Sequence, residues 1–202
     1  MSTSISRGNM LMTPAARFEI KTLGCFSITR YGLQVATDWP DEMGKTLFCS
    51  LLSPLDLYST WDRISRSILN EPETQVGRRH LIENVIRPLN SFLIHELGFN
   101  PLIIGDENVR IDQQRMDVDA FEFYESAIEG LKLLSCGYAA AQQKLRRARS
   151  LYVGSYLPEM EGKIIVNSRA QLESLYQQVM AGDTRRVAAS AGVPGKPVSR
   201  GL

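Results

Sequence analysis

Between Thr74 and Gly98 the sequence carries a periodic segment whose side chains divide into two faces. At about 100° per residue, Leu81, Ile82, Val85, Ile86, Leu89, Phe92 and Leu93 share one broad apolar sector. The opposite sector collects His80, Glu83, Asn84, Arg87 and Ser91, with Arg79 on its flank. Arginine and asparagine are the side chains that grip guanine and adenine edges through two hydrogen bonds at once, each pair worth ~1–3 kcal/mol of discrimination. His80 and Ser91 can reach bases or phosphates, whereas Glu83 can only accept, as from a cytosine amino group. By pattern alone, an ordinary solvated helix face fits these residues better. Arg78 falls on the apolar side if helical, which places it in the first turn or just before it.

Other chemistry is absent from the pattern. Ser59-Asp62 and Ser135-Cys136 have no plausible base partner, and the two histidines, His80 and His95, sit on one helix. No catalytic set and no metal site is expected, nor a cofactor or small-molecule substrate. Cys25, Cys49 and Cys136 are odd in number and far apart in apolar surroundings, so the expectation is reduced thiols packed in the core. Gly44-Lys45-Thr46 has the ending of a phosphate-binding loop, but Trp39 stands where its first glycine belongs.

The 202 residues are 44% hydrophobic and 22% charged, enough for one large or two small domains. No run approaches the roughly 18 apolar residues of a membrane span, and no signal peptide opens the chain, so a cytoplasmic protein without membrane contact is expected. Residues 1–16 read as a disordered lead. Arg17 to Gly32 alternates as two short strands about Leu23-Gly24, with Gln34 to Thr37 as a possible third. A helix follows from Asp41 to Ser53, then a second one capped near Ser59-Thr60 that buries Trp61, Ile64 and Ile68. The longer segment from Thr74 to Leu97, closed by Gly98, is the third. Leu102–Ile104 and Val109–Ile111 form a hairpin about Gly105-Asp106-Glu107-Asn108. Three more helical patterns end near Met180, and residues 181–202 read as a disordered basic tail containing Arg185, Arg186, Lys196 and Arg200.

These elements carry a resemblance. RFEIKTLGCFSITRYG resembles the opening of SARP-type bacterial transcriptional regulators, which carry an OmpR-type winged helix. MDVDAFEFYESA, KLRRARSLYVGSYLP and SRAQLESLY resemble, in order and spacing, the bacterial transcriptional activation domain that follows it. The resemblance covers roughly residues 17–180 and implies an α+β fold. Residues 17–114 would be a winged helix-turn-helix domain and 115–180 an all-α, tetratricopeptide-like domain, here truncated. It further implies double-stranded DNA as a partner, with the third helix in the major groove. Arg79, His80, Asn84 and Arg87 would then meet bases, and Arg63, Arg66, Arg78 and Arg110 phosphates. The 115–180 unit would serve self-association or a protein partner, with a dimer expected. A shortened helical array either leaves an apolar face exposed or closes when its last helix folds back.

Charge argues against strong binding. Residues 17–114 hold ten basic residues against thirteen acids, a balance of −3, and the wing turn carries Asp106 and Glu107. Weak affinity as a monomer is expected. The alternative is a degenerate winged helix that does not bind DNA and acts as an interaction or scaffold module. Pro88 lies inside the third helix and is expected to kink it, with the apolar spacing kept in phase across the proline.

Overall fold

Alternation of Phe18 and Ile20 with Glu19 and Lys21 makes β1 (Phe18–Lys21), whose apolar pair is buried and whose charged pair faces water. β2 (Ser27–Arg30) and β3 (Leu33–Val35) follow, each antiparallel to the strand before it. Tyr31 and Gly32 turn between them with φ of 54° and 76°, as a tight two-residue hairpin demands. The computed structural model describes residues 17–55 and 59–191, with side chains described as far as Gly182. The expected lead 1–16 and the tail beyond Ala191 lie outside the described residues.

Three helices come next. Asp41 caps α1 (Glu42–Leu51), its carboxylate accepting from the Gly44 N–H at 2.6 Å. Thr60, not Ser59, caps α2 (Trp61–Ile68), and Ser59–Thr60 doubles as the short strand β4. Thr74 caps α3 (Gln75–Leu81), accepting from the Gly77 N–H at 2.9 Å. A π-helical turn (Ile82–Ile86) then leads into α4 (Arg87–Leu97), which Gly98 ends at φ 74°. Pro88 therefore does not split the helix. The turn before it widens, with the Arg87 N–H reaching back to the Ile82 carbonyl. Buried Leu81, Val85, Leu89, Leu93 and Leu97 recur every four residues. That spacing drifts by roughly 40° per step in a regular α-helix, and the wide turn takes up part of the drift.

The hairpin β5 (Leu102–Ile104) and β6 (Asn108–Ile111) forms a three-stranded sheet with β4, in the order β4-β6-β5. The next strand is absent from the sequence expectation. β7 (Met116–Val118) pairs parallel with β1 and completes a four-stranded sheet of order β3-β2-β1-β7. Three residues are too few to show alternation, and their partner lies almost a hundred residues upstream.

Helices α5 (Asp119–Ser135), α6 (Ala141–Leu151) and α7 (Lys163–Ala191) pack on one another. A Cβ on Gly130 would sit 2.7 Å from Leu145, so glycine is what lets α5 and α6 approach there. α7 buries Leu172, Leu175 and Val179 and turns Gln171, Glu173, Ser174, Gln177 and Gln178 outward. Of the two outcomes left open by the sequence, closure is the one seen. α7 also runs past Met180, so residues 181–191, expected to be disordered, are helical.

Helical and sheet units are joined through buried polar contacts. The Asp119 carboxylate accepts from the Thr22 N–H (2.8 Å), the Thr22 hydroxyl (2.6 Å) and the Leu23 N–H (3.1 Å). Tyr156 is fully buried and donates its hydroxyl to the Cys49 carbonyl at 3.2 Å. Arg169 donates to the carbonyls of Tyr156, Leu157 and Met160, pinning the loop before α7. The Ser53 and Ser168 hydroxyls meet at 2.8 Å. Among the cysteines only Cys49 is a core thiol; Cys25 and Cys136 are exposed, which corrects the expectation. Cys25 follows the Gly24 turn outside any strand, and Cys136 caps the C-terminus of α5.

Candidate nucleic-acid interface

The site is built around α3 and its π-helical continuation. Arg79, His80, Glu83, Asn84, Arg87 and Ser91 are all exposed, while Leu81, Val85, Ile86, Leu89 and Leu93 are buried. The two faces inferred from the sequence are thus the two faces in the structure. Arg78, Arg79 and Arg87 line one groove of about 280 Å³ with Gln75, Ile82 and Glu83. Among the described residues, Arg79 and Arg87 have no ion-pair partner.

The remaining candidates are placed differently. His80 and Asn84 engage each other, the Asn84 amide donating to His80 Nδ1 at 3.0 Å. Asn84 must release His80 before it can present both amide atoms to an adenine. Arg66 pairs with Asp62 at 2.8 Å one turn away on α2. That hydrogen bond, and a second from the Glu73 N–H, hold the Asp62 carboxyl below its ordinary range. Arg63 is half-buried on α2, and Arg110 projects outward from β6 between buried Val109 and Ile111. Arg63, Arg66 and Arg110 do not line the groove that holds Arg79 and Arg87.

Arg78 is helical and does fall on the inner side. Its guanidinium lies over the Trp61 ring at 5.0 Å and pairs with Glu73 at 2.6 Å. Trp61 is itself the node of the site. Its backbone N–H donates to the Glu107 carbonyl (3.3 Å) and its indole N–H to the Gly105 carbonyl (3.2 Å). Both acceptors belong to the turn of the β5–β6 hairpin, so Trp61, through its backbone and its ring, ties the third helix to that hairpin. The wing tip, with Asp106 and Glu107, is exposed.

Three residues of this site escaped the sequence reading. Trp61 was recognisable only as core, because its wing partners lie more than forty residues away. Gln75 and Val76 open α3 and are exposed, Val76 at 80%. Their signal was available: Val76 lies three and four residues before Arg79 and His80, hence on the same face.

No described helix is long and apolar enough to cross a membrane. No protein-family description matches the sequence, and no curated protein matches it. Among solved structures, Mycobacterium tuberculosis EmbR in complex with a low-affinity phosphopeptide is similar, with a TM-score of 0.59 at 16% identity. The match covers 84% of this chain and 44% of that one, so the chain spans less than half the length of EmbR. At that identity the likeness is one of fold: this chain shares an α+β fold with EmbR.

Proposed function

We propose that this chain is a DNA-binding transcriptional regulator of SARP-like type, whose α3 enters the major groove of a duplex. The observation that carries the reading is the pair Arg79 and Arg87, exposed, without ion-pair partners among the described residues, and lining one groove on a helix locked to the wing through Trp61. Arg79 and Arg87 contact bases, with His80 and Asn84 beside them. Arg63, Arg66 and Arg110 contact phosphates, and Arg78 holds the helix in place. The 115–180 unit serves self-association or a protein partner. A complex with a phosphopeptide is what the EmbR structure contains, and it supports a protein partner here only by analogy of fold.

The exposed acidic wing favours a second reading, an interaction module that has lost duplex binding. Binding to random-sequence duplex at two salt concentrations separates them. Affinity that falls steeply with salt supports the regulator, because released counterions report phosphate contacts. No binding at low salt supports the interaction module.

A further inference from the structure

We infer that Val76 reads the 5-methyl group of a thymine, making it a specificity-determining residue of the α3 face. The inference rests on the duplex-binding reading above and adds a feature of the target to it. Val76 is 80% exposed in the first turn of α3, where a helix entering the major groove presents its reading residues. It shares a face with Arg79, His80 and Glu83, three, four and seven residues on. An apolar side chain amid polar ones has no hydrogen bond to offer. The one apolar feature that base edges present in the major groove is the thymine methyl.

The local structure suits the task. Thr74 fixes the turn by capping Gly77, so the Val76 backbone is held by a side-chain hydrogen bond two residues before it. Valine is stiff at χ1 in a helix, so little rotamer freedom is lost on contact. Val76 has no role in the core, which α3 reaches through Leu81. The thymine stands close to the base read by Arg79, because side chains three apart on a helix are neighbours and successive base pairs are spaced more narrowly still.

The test uses the full chain. A preferred duplex is selected from a random library, and each thymine in it is replaced singly by deoxyuridine, which removes the methyl alone. One position is expected to weaken wild-type binding on the order of fourfold, the scale of one buried methyl group. V76A should bind the thymine duplex weaker by a similar factor and be indifferent to deoxyuridine at that position. Val76 is exposed and alanine is the better helix former, so the variant folds. If every deoxyuridine is tolerated, or V76A keeps the wild-type sensitivity, the thymine assignment is overturned while duplex binding stands. If wild type binds no duplex at low salt, the duplex reading is overturned and this assignment goes with it.

Discussion

Arg78 stacks over Trp61, its guanidinium 5.0 Å from the ring centroid. The contact joins the start of the third helix to the start of the second, and the same indole holds the wing through Gly105. The guanidinium expected on phosphates is thus engaged by Trp61 and Glu73 in the structure. Glu73 neutralises it from the turn between the two helices, so the contact is closed by a charge as well as by packing.

Trp61 can be dissected by size and by hydrogen bond. W61F keeps a ring for Arg78 but loses the indole N–H donated to Gly105 and part of the buried ring volume, and is expected to cost about 2 kcal/mol of stability. W61A empties a fully buried site and is expected to cost about 3–5 kcal/mol. Urea unfolding of both variants measures the difference, and equal costs would show that the ring contributes no packing.

Under the proposed function, Arg79 and Arg87 serve binding rather than folding. The double change to alanine should leave stability within about 0.5 kcal/mol, as both side chains are exposed. Duplex affinity should fall and sequence preference should relax, with the slope of log K against log salt changing by less than about two phosphate equivalents, because both arginines are assigned to bases. Unchanged affinity would move the reading face elsewhere.

Asp62 restrains Arg66. Its carboxyl is held low chiefly by the Arg66 hydrogen bond, with the Glu73 N–H adding to the effect. A carboxylate with a depressed folded-state pKa stabilises the fold above the ordinary aspartate range and loses that contribution as pH falls through the folded value. D62N keeps an acceptor for the Glu73 N–H, removes this part of the acid loss, and frees Arg66. Acid titration of stability should therefore flatten, while the salt dependence of duplex binding should steepen by about one phosphate contact. A salt slope identical to wild type would exclude Arg66 from the interface.

At high pH the sign reverses. Burial pushes the Cys49 thiol above its ordinary value of 9.0 and the Tyr156 phenol well above its ordinary 10.0. Both stay protonated in the folded chain while the unfolded chain ionises, so stability is full below about pH 9 and declines as pH rises beyond it. Y156F removes the tyrosine part of that decline and the hydrogen bond to the Cys49 carbonyl, at ~1 kcal/mol near neutral pH. Denaturation midpoints between pH 8 and 11 test this, and a decline as steep in Y156F as in wild type would assign it to other groups.

Local signals were legible and distant ones were not. The helix starts near Asp41 and Thr74, a cap within Ser59-Thr60 and the stop at Gly98 are written beside the helices they bound, and the structure uses each, with Thr60 as the capping residue of α2. The division of the third helix into apolar and polar faces also survives, since periodicity alone encodes it. Part of what failed depends on partners far along the chain. β7 exists because β1 offers an edge, and Trp61 matters because the wing returns to it. Arg66 and Asn84 were correctly exposed, but Asp62 and His80 occupy them, and one-letter patterns do not say which polar neighbours pair.

The widened turn at Ile82–Ile86 sets an angular offset between two halves of one rod. A turn closed to the fifth residue back holds one residue more than a turn closed to the fourth. Removing that residue would rotate everything N-terminal to it by about 100° about the helix axis. Val76 and Arg79 would swing off the solvent side while Leu89, Leu93 and Leu97 stayed seated. The outer face and the anchoring face are thus indexed to each other by a single residue, and a one-residue deletion there would pull Leu81 from the core and Arg78 from Trp61 as it turned the outer face away.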